Sequence, residues 1–212
     1  MKLIYTLWLI FLFLFVGSGT AQVRIGFLGG INSTGFSGDY PPDDNYSSDF
    51  GYNLGAKADI YLTDDIAVNL QPAFSYRATI IQYDVNYQYD KYDSLSIQTD
   101  YFEIPINVKI VADNQFTYVT AGLSVVFPVN SQVKNNRTGN RQDVSDQFES
   151  YVLNANFGVG IQFEIGKPMM FVEISYSQSL TNLAKLNAGE TAIIDKLKSN
   201  SLQLYTGILF TL

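Results

Sequence analysis

The sequence predicts an all-β protein: an eight-stranded antiparallel up-and-down transmembrane β-barrel with long outer loops and short periplasmic turns. Three observations carry that reading. Apolar side chains recur at every second residue in eight separate stretches, the period of a strand with one apolar and one polar face. The connections between those stretches alternate short and long. No apolar run after residue 22 reaches the roughly 20 residues that a transmembrane helix needs.

Each stretch can be justified in turn. Residues 23–32 put Ile25, Phe27 and Ile31 on one face. Residues 52–62 alternate Tyr52, Leu54, Ala56, Ala58 and Ile60 against Asn53, Gly55, Lys57, Asp59 and Tyr61. Residues 67–77 set Val68, Leu70, Pro72, Phe74 and Tyr76 against Asn69, Gln71, Ala73, Ser75 and Arg77. Residues 100–111 set Phe102, Ile104, Ile106, Val108 and Ile110 against Glu103, Asn107 and Lys109. Residues 116–127 set Val119, Ala121, Leu123 and Val125 against Thr120, Gly122 and Ser124. Residues 151–165 alternate Leu153, Ala155, Phe157, Val159, Ile161 and Phe163 with a Gly-, Asn- and Gln-rich face that ends in Glu164. Residues 169–179 set Met170, Val172, Ile174 and Tyr176 against Glu173, Ser175 and Ser177. The last stretch runs through Leu202, Leu204, Ile208, Phe210 and Leu212.

Three connections are tight: Thr63-Asp64-Asp65, Ala112-Asp113-Asn114-Gln115 and Gly166-Lys167-Pro168. The other four, starting at Ser33, Ala78, Pro128 and Leu180, are long and polar. An even strand count with this alternation puts both ends of the barrel domain and the short turns in the periplasm. A soluble lipocalin-like barrel would also alternate, with its apolar face inward. Its polar face would meet water and would carry many Lys and Glu. Here that face is Gly, Asn, Ser and Gln with scattered charges, which suits a hydrogen-bonded interior.

The N-terminal residues predict export. Lys2 precedes an apolar run from Leu3 to Val16, then Gly17-Ser18-Gly19-Thr20-Ala21. Small residues at Gly19 and Ala21 mark a cleavage site before Gln22. The expected organisation is a signal peptide over 1–21 and one barrel domain over 22–212, in the cell outer membrane. Composition narrows function further. There are 15 Tyr, 15 Phe and 16 Gly, with 16% charged residues. Zero Cys removes disulfide and thiolate chemistry, and zero His removes the commonest general base and metal ligand. A net charge of −7 gives no electrostatic footprint for nucleic acid. The sequence therefore predicts no catalytic residue, no cofactor and no metal site.

Two resemblances sharpen the picture. Tyr205, Gly207, Phe210 and Leu212 resemble the C-terminal insertion signal of bacterial outer-membrane barrels, with Leu212 where an aromatic is usual. That resemblance implies the barrel-assembly machinery as a partner during insertion. Tyr101-Phe102-Glu103-Ile104-Pro105 is similar to the "Y-L-E-I-P" element of the PorT-like outer-membrane barrel domain of Bacteroidota. The 26–32 segment resembles that family's "G-x-K-x-G-x-N" first strand, with Leu28 in place of a base. The 154–160 segment resembles its "D-x-G-x-x-x-G-x-G" strand with Asn154 for the acid, and 179–183 its "G-L-T-N-I" exit without the Gly. The resemblance implies an eight-stranded barrel and no shared catalytic residues.

Candidate sites follow from alternation. Lys57, Asp59, Arg77, Glu103, Lys109, Glu164 and Glu173 fall on the lumen face and form the expected charge network, since buried charges must pair. Glu103 is expected to pair with Lys57, Arg77 or Lys109. The first outer loop carries Asp39, Asp43, Asp44 and Asp49. Without EF-hand spacing it reads as a solvated acidic loop rather than a Ca²⁺ site. The second loop holds Tyr83, Tyr87, Tyr89 and Tyr92, contact residues for an extracellular protein or glycan, or the faces of a protruding hairpin. Asp93-Ser94-Leu95 resembles a short bacterial O-glycosylation motif. Residues 183–199 are expected to form a short amphipathic helix capping the mouth. The leading functional expectation is a non-enzymatic barrel solvated by outer-membrane lipid, with a side-chain-filled lumen and loops for surface interaction or a role in membrane structure. The alternatives are a component of a secretion or uptake assembly, and a small outer-membrane enzyme.

Overall fold

The structure, a computed structural model, describes residues 22–38, 45–84, 92–185 and 197–212. The strands are β1 (Val23–Gly38), β2 (Asn45–Tyr61), β3 (Ile66–Leu70), β4 (Ala73–Asp84), β5 (Tyr92–Val111), β6 (Thr117–Asn135), β7 (Arg141–Asp143), β8 (Val152–Glu164), β9 (Met169–Ser179) and β10 (Leu197–Thr211). β3 and β4 are two halves of one crossing, broken at Gln71-Pro72 because proline has no N–H for the ladder. The break is bridged: Ala56 N–H donates to the Pro72 carbonyl, and Gln71 N–H to that of Pro105. β7 is a short strand on the outer part of β6. The remaining crossings make a ring of eight antiparallel strands, closed where β1 pairs with both β2 and β10.

The register fixes the geometry of that ring. From Asn32 the ladder runs to Gln203, Ser175, Gly158 and Thr120. It continues to Lys109, Ala67 and Tyr61, whose N–H meets the Gln22 carbonyl. One circuit thus returns to β1 ten residues lower, from 32 to 22, which is a shear of 10 for eight strands. Such a barrel tilts its strands by about 40° and has an interior that side chains can fill.

Burial is inverted relative to a soluble protein. Phe27 is 70% exposed, Phe74 64%, Phe157 61% and Leu123 57%, all on the outer face. Lys57, Asp59 and Lys109 are fully buried inside. An exterior this rich in exposed apolar side chains is stable in lipid and not in water. Aromatic side chains mark its edges. Tyr52 stacks on Tyr76 at 5.4 Å on the outer side, and Phe116 packs against Phe163 at 6.5 Å on the periplasmic side. These are the interfacial girdles of a membrane barrel.

Strands reach well past that belt, longer than the roughly ten residues expected of each. β5 spans 20 residues and β6 19, whereas β8 has 13 and β9 11. The wall therefore rises high over β4, β5 and β6 and stops low over β8 and β9. The low side is filled by two outer segments. Phe148 bridges to Ala184, Glu149 N–H donates to the Leu183 carbonyl, and Lys185 N–H to that of Gln147. Val144, Phe148 and Leu183 pack inward against Phe36, Tyr101, Val126, Val152 and Leu197. Only the two ends of the segment 183–199, expected to form a helix, are described, and neither is helical. Residues 183–185 join this bridge and Leu197 begins β10, while 186–196 lie outside the described residues.

Candidate functional site: the charged lumen

The lumen is built by the polar alternation of the strands, and its charges come in three ion pairs. Lys57 Nζ on β2 lies 2.7 Å from Glu173 Oε2 on β9. Lys109 Nζ on β5 lies 2.6 Å from Asp59 Oδ2 on β2. The Arg77 guanidinium on β4 lies 2.5 Å from Glu103 Oε2 on β5. Of the three bases expected as the Glu103 partner, Arg77 is the one in place.

The two lysine pairs share one layer of contacts near the periplasmic half. Glu173 also accepts from the Tyr118 hydroxyl at 2.9 Å and from Gln71 Nε2 at 3.3 Å. Asp59 accepts from Asn69 Nδ2 at 2.6 Å, and Lys109 donates to Gln162 Oε1 at 2.7 Å. The ammonium groups lie against aromatic faces. Lys57 is 4.1 Å from the Phe171 centroid, and Lys109 is 4.3 Å from that of Tyr118. Each carboxylate thus has several charge-assisted partners, the condition under which buried ions hold their charge. Below them Arg24 donates to the Tyr61 hydroxyl at 3.0 Å and lies 4.8 Å from its ring centroid, at the periplasmic end of the lumen.

Higher up, Arg77 lies over Tyr101 at 5.1 Å and its Nε donates to Ser75 Oγ. Ser75 donates in turn to Asn53 Oδ1, which also accepts from Asn32 Nδ2 at 2.9 Å. The three cations Lys57, Arg77 and Lys109 face the three anions Asp59, Glu103 and Glu173. Among the described residues these pairs and their hydrogen bonds cross-link the strands through the lumen.

One expected member is elsewhere. Glu164 has the inward parity but is exposed, because it ends β8 opposite Met169 at the periplasmic rim. Water solvates it beyond the barrel edge, and it is not part of the lumen network. Tyr87 and Tyr89 lie outside the described residues. Tyr83 and Tyr92 supply backbone to the β4–β5 ladder, where Tyr83 is opposite Asp93 and Asp84 opposite Tyr92. Asp39, Asp43 and Asp44 also lie outside, and Asp49 belongs to β2, with its carboxylate accepting from Phe50 N–H. Among the described residues no group of three or more His, Cys, Asp and Glu could hold a metal.

In the terminal strand Tyr205 is buried and donates to Gln203 Oε1. A side chain at Gly207 would collide with the Phe27 carbonyl and the Phe171 ring, so this position needs glycine. Phe210 and Leu212 face outward. The neutral half of the network was not singled out in the sequence. Tyr118, Asn69, Gln71 and Gln162 bind its charges, and only their inward parity could have flagged them.

Comparisons with known proteins agree with this architecture. A family model described as an outer membrane protein beta-barrel domain matches residues 18–185. No curated protein matches the sequence. Among solved structures, the outer membrane protein AlkL in lipid bilayers is similar at 14% identity. The match covers 92% of each chain, with a TM-score of 0.54. OprG of Pseudomonas aeruginosa is similar at 12% identity over 91% of this chain and 96% of that one, with a TM-score of 0.51. Ail of Yersinia pestis matches at 15% identity over 88% and 98%, with a TM-score of 0.41. At these identities the likeness to AlkL and OprG is one of fold.

Proposed function

The chain belongs to the outer membrane protein beta-barrel domain family, and from that premise we propose that it is a non-enzymatic surface protein whose lumen is sealed and whose extracellular wall engages a partner. The carrying observation is the asymmetric wall. β4, β5 and β6 remain paired up to Asp84–Tyr92 and Leu95–Asn135, far above the Tyr52–Tyr76 girdle. Transport through the lumen would gain nothing from a tall rigid hairpin on one side. Presentation of its tip would. The partner is an extracellular protein or glycan, met by the tyrosines at 83, 87, 89 and 92. Within the family, the Tyr101–Pro105 element supports the PorT-like branch. Export through a signal peptide cleaved before Gln22, insertion by the barrel-assembly machinery and solvation by outer-membrane lipid complete the reading.

The test is capture of ligands on intact outer membranes by the wild type and by a variant with residues 85–91 replaced by a Gly-Ser linker. Binding of a discrete protein or glycan by the wild type alone supports the proposal. Equal capture by both overturns the role of the hairpin. The intact mass of the mature protein checks the cleavage before Gln22.

A further inference from the structure

We propose that the lumen carries a buried water site between its two charge clusters, and that this water joins them into one network. The layer is located by the shear. Ten residues over eight strands displace the horizontal by about 1.25 residues per strand relative to the ladder. Two residues below Asn32, that horizontal passes through Gly30, Gly55, Ala73, Pro105, Gly122 and Ser175. Asn156 and Gln203 complete the ring. Six of the eight side chains are small, and the level is filled in part by the Tyr205 ring, which a Cβ on Gly30 would meet and whose hydroxyl donates to Gln203 Oε1.

Five buried polar atoms without a protein partner surround it. They are Asn156 Nδ2 and Gln203 Nε2 in the layer, Asn53 Nδ2 and Glu103 Oε1 from above, and Asn107 Oδ1 from below. Their residues are all at most 6% exposed. Asn107 Oδ1 does reach the layer, because a Cβ on Gly122 would run into it. In all three donor amides the carbonyl is already taken. Asn156 Oδ1 accepts from Ser124, Gln203 Oε1 from Tyr205, and Asn53 Oδ1 from Asn32 and Ser75. What is left is three donors and two acceptors at and beside this level.

The chemistry of those atoms selects the guest. It must accept from amide N–H groups and donate to a carboxylate and an amide carbonyl. It need bring no charge, since each of the three buried carboxylates is already paired with a base. It must also be small enough for a sealed eight-stranded interior. Water meets all three conditions, with two to four polar partners available to each molecule. Through it Glu103 of the upper pair is linked to Asn107, which already donates to Asn69 of the lower cluster at 3.4 Å. The inference is independent of any loop partner.

The test is magnetisation transfer from water to side-chain amide protons by NMR of the labelled protein in lipid bilayers. Long-lived water contacts are expected at the amides of Asn53, Asn156 and Gln203. No such contact at any of the three overturns the site. Asn156→Leu should abolish the contact at Gln203 while the barrel still shifts on an unboiled gel. Persistence of the Gln203 contact in that folded variant overturns a single shared cluster. If Asn156→Leu does not fold, Gln203→Met read at Asn156 gives the same two outcomes. Sodium- or chloride-dependent shifts of these amides at constant ionic strength overturn a neutral guest.

Discussion

At the scale of the residue, the lumen shows how ions are kept in the middle of a membrane protein. Arg77 and Glu103 are each about 3% exposed, so neither can turn to water for compensation. Removing one partner leaves the other charged and unpaired, which costs roughly 3–5 kcal/mol for buried pairs. Glu103→Gln should therefore lower the unfolding free energy of the barrel in detergent by about that amount, measured by urea titration. The double change Arg77→Met with Glu103→Leu should recover most of the loss, because the isolated charge is gone. Outside the membrane the same logic is weaker. Asp143 accepts from Ser145 N–H at 2.9 Å, which holds its carboxyl below the usual carboxylate range, but it is fully solvated. Asp143→Asn should change the structure little, as read by loop amide shifts.

At the scale of the element, alternation carries nearly all the information. Ile106 is 54% exposed and its neighbour Asn107 5%, and the pattern continues through Val108 and Lys109. Ile106→Arg puts a charge into hydrocarbon near mid-height and should destabilise insertion by about 2–4 kcal/mol. Asn107→Ser stays polar inside and should be mild. Reversed effects in a folding titration would mean a register one residue off. Because a strand has only two faces, the sequence was enough to sort lipid-facing from lumen-facing side chains and to place Lys57, Asp59, Arg77, Glu103, Lys109 and Glu173 inside. Parity does not report height, which is why Glu164 read as internal although it sits past the rim. It also does not report which base meets Glu103, since that depends on the shear. The bridge between Phe148 and Ala184 has no periodic signature at all. Phe148→Ser tests that lid. Cleavage of residues 136–151 by added protease should rise several-fold, while the barrel core keeps its unboiled-gel shift, because Phe148 seals the mouth without pairing into the ring.

At the scale of the whole molecule, the proposed sealed lumen would have two barriers in series. Apolar side chains under the two-segment lid close the outer mouth, and the lysine pairs with Tyr118 and Phe171 close the periplasmic half. On that proposal a polar interior is no sign of a pore. An ion crossing the lumen would have to pass pairs whose partners are at most 3% exposed. The purified wild-type monomer in a planar bilayer should show negligible conductance. Phe148→Ser, which opens only the outer seal, should leave that unchanged, and Glu103→Gln should as well, because the lower pairs remain. Conductance should appear only when the lower seal is also cut, as in a combined Lys57→Ala and Lys109→Ala variant, provided that it still inserts. Stable channel openings from the wild type, with an ion selectivity that Glu103→Gln alters, would mean that the upper pair lines an open path and that the lumen is a pore.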